Sequence, residues 1–306
     1  MKVRFGICAD LHVDFIHDGV WRFEQFLDEC KKAEVDFCVQ LGDFCPPNGN
    51  QMKDKECIIK KIEDYSIPFY HTLGNHDMDV NNKQEVMEYI GMQNNYYSFD
   101  FGGVHFIVID ACYYEQSGLY IDYEKGNYKK VSEDARVPVL PPCELEWIKE
   151  DLQKTIYPTI VFSHQSLVES RAGIQNADVF RETINDAPKG VFAAICGHEH
   201  VDRIENKDGV WYMCVNSMSY YWAGSKYKHE TYGKEIVEKH PRLESVFPYQ
   251  EPLYAIVDVT DEAIYVNGVE SKIIGATPEQ LQFKKIGLTD KITASVIDRT
   301  IKTNRG

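Results

Sequence analysis

Several features that would place this 306-residue chain in a membrane or nucleic-acid-binding class are missing from its sequence. No apolar run approaches the roughly 18 residues that cross a bilayer. The first five residues interleave charged with apolar side chains, so we expect a strand there and not a signal peptide. Lysine and arginine number 33 against 48 aspartates and glutamates, a formal net charge of −15. A general nucleic-acid binder needs cationic side chains to displace counterions from phosphates, so the sequence argues against that class.

Paired cysteine motifs and nucleotide-binding loops are missing as well. The nine cysteines are odd in number, scattered and never spaced as C-x-x-C, which predicts reduced, mostly buried thiols and a cytoplasmic protein. No G-x-x-x-x-G-K-[ST] or G-x-G-x-x-G loop is present. No G-x-S-x-G surrounds Ser163, so the sequence does not favour a serine nucleophile.

What is present is the composition of a globular α/β protein. Hydrophobic residues make up 43% and charged residues 26%, which is ordinary for a folded domain. Short apolar runs alternate with helical patterns, which predicts an α/β fold. The predicted strands are 2–9, 35–41, 67–73, 96–101, 104–109, 159–162, 191–196, 201–205, 210–215, 253–259 and 263–267. The predicted helices are 20–33, 54–65, 83–90, 144–155 and 176–186.

Three polar segments have no clear periodicity. We expect 112–142 and 217–250 to be long loops, which are often functional in compact domains. The third segment is the polar tail from about residue 270. We therefore predict a main domain over 1–269 and a peripheral C-terminal element over 270–306.

Polar residues with side chains that can ligate a metal follow five of the predicted strands. Aspartate, asparagine or histidine stands at each strand end, and open α/β sheets gather such positions at one edge. These residues are Asp10, His12, Asp43, Asn75, His76, Asp77, His164, His198 and His200. Converged, they offer carboxylates, an amide and imidazoles without sulfur, a donor set that suits manganese, iron or zinc. Gly42, Gly74 and Gly197 permit the sharp turns that such a site needs.

The order D-x-H, G-D, G-N-H-D, H and G-H-x-H over residues 10–200 resembles the calcineurin-like metallophosphoesterases. The resemblance implies a two-sheet αββα sandwich flanked by helices, with two transition-metal ions. It also implies the role of each matching residue. Asp10, His12 and His200 would hold one metal. Asn75, His164 and His198 would hold the other. Asp43 would bridge the two metals, and His76 would protonate the leaving oxygen.

The chemistry implied is in-line attack of a metal-bound hydroxide on a phosphate ester. Asp77 either orients His76 or serves as a turn or capping carboxylate. The protein Ser/Thr phosphatases of the family carry G-D-x-x-D-R-G, whereas residues 42–48 have neither the second Asp nor the Arg. The pattern is more similar to the phosphodiesterase and nucleotide-pyrophosphatase branches.

We therefore predict a phosphodiesterase acting on small nucleotide-type substrates, without general nucleic-acid or membrane binding. The alternatives are a nucleotide-linked diphosphate hydrolase, a phosphomonoesterase, and a scaffold that retains the fold for protein binding. The sequence leaves the oligomeric state open. Five aromatic residues could stack on a nucleobase or pack their loops against the body. They are Tyr113, Tyr114, Tyr220, Tyr221 and Trp222.

Overall fold

The computed structural model describes residues 2–44, 52–129, 137–168, 172–284 and 291–302. Sixteen strands are found in these residues. They are β1 (Lys2–Cys8), β2 (Phe37–Gln40), β3 (Phe69–His71), β4 (Tyr97–Phe101), β5 (Val104–Val108), β6 (Tyr113–Gln116), β7 (Leu119–Asp122), β8 (Thr159–Phe162), β9 (Val191–Cys196), β10 (Arg203–Lys207), β11 (Val210–Cys214), β12 (Tyr220–Trp222), β13 (Val246–Pro248), β14 (Ala255–Thr260), β15 (Ala263–Gly268) and β16 (Arg299–Lys302).

The described α-helices number six. They are α1 (Gly19–Lys32), α2 (Met52–Tyr65), α3 (Lys83–Ile90), α4 (Pro142–Lys154), α5 (Ala177–Asn185) and α6 (Lys234–Lys239). Short 3₁₀ helices cover Asn75–Met78, Ser225–Tyr227 and Pro241–Ser245. None of the described helices has the length and apolar character needed to span a bilayer.

Two six-stranded sheets pack face to face. One has the order β16-β15-β14-β1-β2-β3 and the other β10-β11-β9-β8-β5-β4. Fully buried phenylalanines fill the space between them. The ring of Phe5 in the first sheet lies 6.0 Å from Phe106 and 5.7 Å from Phe162 in the second, both in edge-to-face contact. Such interdigitated aromatic pairs contribute to stability beyond the area that they bury.

Helices cover the outer faces of both sheets. Phe23, Phe26 and Leu27 of α1 pack in one cluster with Cys8 of β1, and α4 and α5 cover the second sheet through Ile148 and Phe180. Each helix presents its apolar stripe to the sheet, because that is where its hydrophobic residues can be buried. The two-sheet sandwich flanked by helices confirms the predicted α/β class.

The strands that precede the polar residues are joined by parallel pairing within each sheet. β1 pairs with β2 and β2 with β3 in parallel, and so do β5 with β8 and β8 with β9. Parallel strands end at the same edge of a sheet, so the polar residues after β1, β2, β3, β8 and β9 are brought to one side of the sandwich.

The segments expected to be loops contain further structure. The hairpin β6–β7 lies within 112–142, and β12, β13 and α6 lie within 217–250. The C-terminal segment supplies β16, an edge strand paired with β15, and buries Val296 and Ile301 in the core. Among the seven cysteines whose side chains are described, none is in a disulfide, and only Cys143 is exposed.

Candidate metal centre and active site

The polar residues at the strand ends form two groups of metal-ligating atoms. One group is Asp10, His12 and His200, and the other is Asp43, His164 and His198. Within each group the candidate ligand atoms lie within 4.8 Å of one another. The structure thus brings together six of the residues singled out in the sequence, in a grouping compatible with the two sets that the resemblance implies.

The first group combines a buried carboxylate with two imidazole rings. Nδ1 of His200 lies 2.6 Å from the carbonyl oxygen of Tyr220, which can only accept, so Nδ1 carries the hydrogen. In the neutral ring Nε2 is then a lone pair. It lies 3.2 Å from Oδ1 of Asp10 and 3.3 Å from Nε2 of His12. Oδ1 of Asp10 is buried and has no hydrogen-bond donor among the residues that the structure describes, whereas Oδ2 accepts from the backbone N–H of His198 at 2.9 Å.

A buried carboxylate oxygen without a donor is costly unless a cation compensates it. The first group thus has the donor chemistry that a transition-metal ion requires: a carboxylate oxygen and imidazole nitrogens within 4.8 Å of one another. The structural observation of an unpartnered acceptor fits the metal that the resemblance implies.

The second group has the same arrangement around His164. Nδ1 of His164 donates to the carbonyl oxygen of Leu41 at 2.7 Å, so Nε2 is the lone pair of the neutral ring. It faces Oδ2 of Asp43 at 3.3 Å, Oδ1 of Asn75 at 3.2 Å and Nδ1 of His198 at 3.0 Å. The carbonyl partner fixes the ring orientation and the tautomer, as such partners do for metal-ligating histidines.

Asp43 lies between the two groups. Its Oδ2 is 3.3 Å from Nε2 of His164 and 3.7 Å from Nε2 of His12, which belong to different groups. Its Oδ1 accepts from the backbone N–H of His76 at 2.7 Å. The position of Oδ2 is compatible with a bridging carboxylate.

The charges of these residues depend on one another. Burial opposes a charge on Asp43, but the imidazoles of His164 and His76 outweigh it and hold the pKa of Asp43 well below its usual range. Burial also opposes a charge on His164, but Asp43 outweighs it and raises the pKa of His164 to about 10. Burial lowers the pKa of His12 and of His198 well below the usual value, which keeps both rings neutral. Neutral imidazole is the form that binds a metal, and a bound cation would displace the proton from His164.

Backbone conformation singles out the same residues. Five of the proposed ligands have left-handed φ values between 49° and 69°, which non-glycine residues rarely adopt. They are Asp10, His12, Asp43, His198 and His200. Strained backbone of this kind clusters at functional sites, where the surrounding structure maintains it.

Two of the predicted glycines allow the strand ends to approach one another. A Cβ on Gly74 would lie 2.1 Å from the backbone nitrogen of Asp43 and 2.3 Å from its Oδ1. Gly42 has φ of +89°, and a Cβ there would lie 2.5 Å from Nδ1 of His164. Only glycine fits at either position.

His76 is outside both groups and faces a cavity. Its Nδ1 lies 3.1 Å from Oδ2 of Asp79 and 3.1 Å from the hydroxyl of Tyr128, and Tyr128 also donates to Oδ1 of Asp79. Nε2 of His76 has no hydrogen-bond partner among the described residues. Burial opposes a charge on His76, but Asp43 and Asp79 outweigh it and raise the pKa of the ring.

Asp79, and not Asp77, is the carboxylate at Nδ1 of His76. The reason is the 3₁₀ helix Asn75–Met78, because residues three apart share a face of a helical turn and adjacent residues do not. Asp77 instead accepts hydrogen bonds from the backbone N–H of Gly74 at 2.7 Å and of Asp43 at 3.1 Å. It thus links the loop that contains Gly74 to the loop that contains Asp43. This role agrees better with the turn-stabilising alternative than with an orienting role toward His76.

The two groups and His76 open into a cavity of about 570 Å³. Its described lining includes Tyr220, Tyr221 and Trp222, three of the aromatic residues for which the sequence left open stacking on a substrate or packing of their loop. Tyr113 and Tyr114 are not in this lining. The ring of Tyr113 lies under the ammonium group of Lys83 at 3.4 Å, and Tyr114 is buried.

Several residues of the site were not predicted from the sequence, among them Asp79, Tyr128, Phe15 and Arg242. Phe15 and Arg242 line the cavity. The spacing of Asp79, three residues after His76, is a signal that could have identified it. Tyr128 and Arg242 come from segments without periodicity, and only the fold brings them to the site.

Comparison with known proteins gives one family, and the solved structures of similar fold include the two described here. The family model for calcineurin-like phosphoesterases matches residues 3–202. A dimetal phosphatase from Danio rerio is similar with a TM-score of 0.62 and 15% identity, over 90% of this chain and 99% of that one. The anchor in the inner membrane complex of Plasmodium is similar with a TM-score of 0.54 and 15% identity, over 99% of this chain and 90% of that one. No curated protein matches the sequence.

At such identities the two structures establish the fold alone. The family match covers more than half of the chain, and the blocks that carry it end at the strand edge where the acceptor atoms converge. The chain therefore belongs to the calcineurin-like phosphoesterase family and is a metal-dependent phosphoesterase.

Proposed function

We propose that this protein is a two-metal phosphodiesterase that acts on small nucleotide-type substrates. The observation that carries the proposal is the convergence of buried acceptors, above all the unpartnered Oδ1 of Asp10, beside a large cavity. In this proposal one cation is held by Asp10, His12 and His200, the second by Asn75, His164 and His198, and both by Asp43. Manganese, iron and zinc are the candidate ions, because the donors are oxygen and imidazole nitrogen.

The bound cations would supply Lewis acidity, which neutralises charge on the phosphoryl oxygens and activates water. The protein's own contribution to the leaving group is His76. Its Nδ1 is engaged by Asp79 and Tyr128, so the ring presents Nε2 as the atom that transfers a proton to the leaving oxygen. General-acid transfer from a positioned side chain contributes about 10²–10⁴-fold to the rate.

The cavity favours a diester over a monoester. A diester carries an organic group on each side of phosphorus, and a cavity of about 570 Å³ with aromatic walls has room for both. A monoester dianion would gain from extra cations next to the metals. The described lining holds a single arginine or lysine, Arg242, which lies against Phe15 and Trp222.

The test is a comparison of two chromogenic substrates in the presence of Mn²⁺: bis(p-nitrophenyl) phosphate and p-nitrophenyl phosphate. We expect higher kcat/KM for the diester and almost complete loss of turnover in Asp43→Asn. The matched control is Asp64→Asn, which alters an exposed carboxylate paired with Lys60. Preference for the monoester would instead make the protein a phosphomonoesterase, in line with the Danio rerio protein of similar fold, which is described as a dimetal phosphatase.

Two further outcomes correspond to the remaining alternatives. Activity on neither ester, together with release of a nucleoside monophosphate from a nucleotide-linked diphosphate, would identify a diphosphate hydrolase. A purified protein that holds no transition metal and is inactive on all three would favour a scaffold. The Plasmodium protein of similar fold is described as an anchor, so the fold by itself does not decide between an enzyme and a scaffold.

A further inference from the structure

The described lining of the cavity contains one cationic residue, Arg242, which the proposed chemistry at phosphorus does not use. Arg242 lies in the 3₁₀ helix Pro241–Ser245, and its guanidinium carbon is 4.7 Å from the ring centroid of Phe15 and 5.8 Å from that of Trp222. The rings of Phe15 and Trp222 are themselves in edge-to-face contact at 6.0 Å, so the guanidinium packs against a continuous aromatic surface. A guanidinium in such a cation–π contact can still donate its N–H groups to a ligand.

The backbone that carries Arg242 is anchored by buried residues that follow it in the sequence. The next residue, Leu243, is fully buried in a cluster with Phe15, Tyr220 and Val246. Val246 in turn is paired with Trp222 in the β12–β13 ladder. The arginine therefore projects from an anchored turn, which reduces the conformational entropy lost when it binds a ligand.

No carboxylate among the described residues compensates the charge of Arg242. Among the described residues Arg242 makes no ion pair with a carboxylate, and it is the sole lysine or arginine in the described cavity lining. Acidic residues elsewhere in the lining have other partners, such as Arg203 for Glu199 and Lys129 for Asp79. A free guanidinium facing a substrate cavity is suited to bind two oxygens of a phosphate or carboxylate at once.

Arg242 is also within reach of the metal-ligand groups. The ring of Tyr220 stacks on that of His12 with centroids 5.1 Å apart, and lies 4.6 Å from the ring of Phe15. Two ring contacts therefore connect a proposed metal ligand to the aromatic surface on which Arg242 lies. A substrate of nucleotide size can span this distance inside the cavity.

We propose that Arg242 binds a second anionic group, a phosphate or a carboxylate, on the organic part of the phosphodiester. The inference rests on the proposed function and narrows its substrate class to diesters that carry a further negative charge. Phe15 and Trp222 would orient the guanidinium, and the metal-ligand groups would receive the phosphate that is cleaved.

The test uses three esters that differ at a single position: thymidine 5′-(p-nitrophenyl phosphate) with a 3′-hydroxyl, a 3′-phosphate or a 3′-hemisuccinate. We expect the wild type to cleave at least one anionic ester with kcat/KM about tenfold higher than the 3′-hydroxyl ester. Arg242→Gln should abolish this preference, so that the anionic and 3′-hydroxyl esters are cleaved with equal kcat/KM. Arg242→Lys should retain part of it, and the 3′-phosphate and 3′-hemisuccinate arms distinguish phosphate from carboxylate.

The matched control is Lys226→Gln, which removes one positive charge from a neighbouring 3₁₀ helix and should leave the preference intact. Equal kcat/KM for the three esters, or a preference that survives Arg242→Gln, would overturn the inference. Calorimetric binding of thymidine 3′,5′-bisphosphate and thymidine 5′-monophosphate provides a readout without turnover. If no ester is cleaved but Arg242→Gln weakens binding of the bisphosphate alone, the proposed function fails and the role of Arg242 stands; if binding of both is unaffected, the role of Arg242 fails too.

Discussion

At the scale of single residues, Gly74 controls how closely two strand ends can approach. A Cβ at this position would lie 2.1 Å from the backbone nitrogen of Asp43, so Gly74→Ala must displace the proposed bridging carboxylate. We expect at least a hundredfold fall in kcat/KM, since a misplacement of about 1 Å can cost that much. Steady-state kinetics with Mn²⁺ and the metal content after dialysis would measure it.

The control for Gly74→Ala is Gly233→Ala. Gly233 precedes α6, has an ordinary φ of −61°, and has no atom within 4 Å of a built Cβ. We expect this variant to keep full activity with a change in stability of a few tenths of a kcal/mol. Equal activity of Gly74→Ala and Gly233→Ala would contradict the proposed position of Asp43.

Asp77 and Asp79 are two residues apart in sequence and differ in what they contact. Asp79 touches Nδ1 of His76, so Asp79→Asn should lower kcat about 10–100-fold with KM and metal content little changed. Asp77 accepts from the backbone of Gly74 and Asp43, so Asp77→Asn should weaken metal binding and lower the thermal midpoint. Kinetics, metal analysis and thermal unfolding of the two variants would separate these roles, and identical profiles would refute the distinction.

The site residues that are easiest to find in the sequence are those with a motif at a strand end. Asp10 and His12 are two residues apart and follow an apolar run, as do His198 and His200. The spacing and the apolar run can both be recognised in the sequence alone. Arg242 has neither feature. It reaches the cavity because β12 and β13 pair across more than twenty residues, which no local pattern encodes.

At the scale of secondary structure, prediction gave the observed bounds for two largely buried strands. The bounds of β8 and β9 equal the predicted 159–162 and 191–196, because a run of three or more apolar residues between helices indicates a buried strand. The strands β12 and β13 have three residues each and lie in segments rich in charge. Their stability comes from long-range pairing and burial, not from local propensity.

One element contact has a pH dependence that can be measured. His105 in β5 is buried and hydrogen-bonds Asp100 of β4 at 2.6 Å and Asp151 of α4 at 2.7 Å. Burial opposes its charge, but the two carboxylates outweigh it and raise the pKa of His105 above its usual 6.5. A raised folded-state pKa stabilises the fold fully below pH 6.5, and the contribution disappears as pH rises through the folded value.

His105→Gln should therefore destabilise the protein most near pH 5.5, by about 1–2 kcal/mol, and progressively less towards pH 9. Urea unfolding across that range would measure the difference from wild type. Asp151→Asn should remove much of the same pH dependence, and Glu150→Gln, an exposed neighbour on α4, should not. A destabilisation by His105→Gln that is constant with pH would show that the ring acts by packing alone.

At the scale of the whole molecule, the proposed metal ligands and the aromatic and cationic residues of the cavity lie mostly in different parts of the sequence. The family model ends at residue 202, and the blocks that supply the proposed ligands all precede that point. Tyr220, Trp222 and Arg242, which line the cavity, follow it. The reaction type was predictable because the first two thirds of the sequence contain every motif block. The last third has no motif, and it contains Arg242 and Trp222, which are proposed to select the substrate.

The strain and the unpartnered acceptors of the site predict that metal binding stabilises the entire fold. Five ligand residues have left-handed backbone conformations, and Asp10 has a buried carboxylate oxygen without a donor, so cations should compensate costs that the metal-free protein carries. A cation at a hundred times its Kd contributes about 2.7 kcal/mol per site, which for a chain of this size raises the thermal midpoint by roughly 5 °C. Scanning calorimetry of the chelator-treated protein with and without Mn²⁺ would measure this shift.

Two controls test whether the ions bind at the strand ends. Ca²⁺ at the same concentration should have little effect, because it prefers six to eight oxygen ligands and the site offers several imidazoles. Asp43→Asn should lose most of the Mn²⁺ response. Equal shifts with Mn²⁺ and Ca²⁺, or an undiminished response in Asp43→Asn, would place the binding ions somewhere other than the two groups at the strand ends.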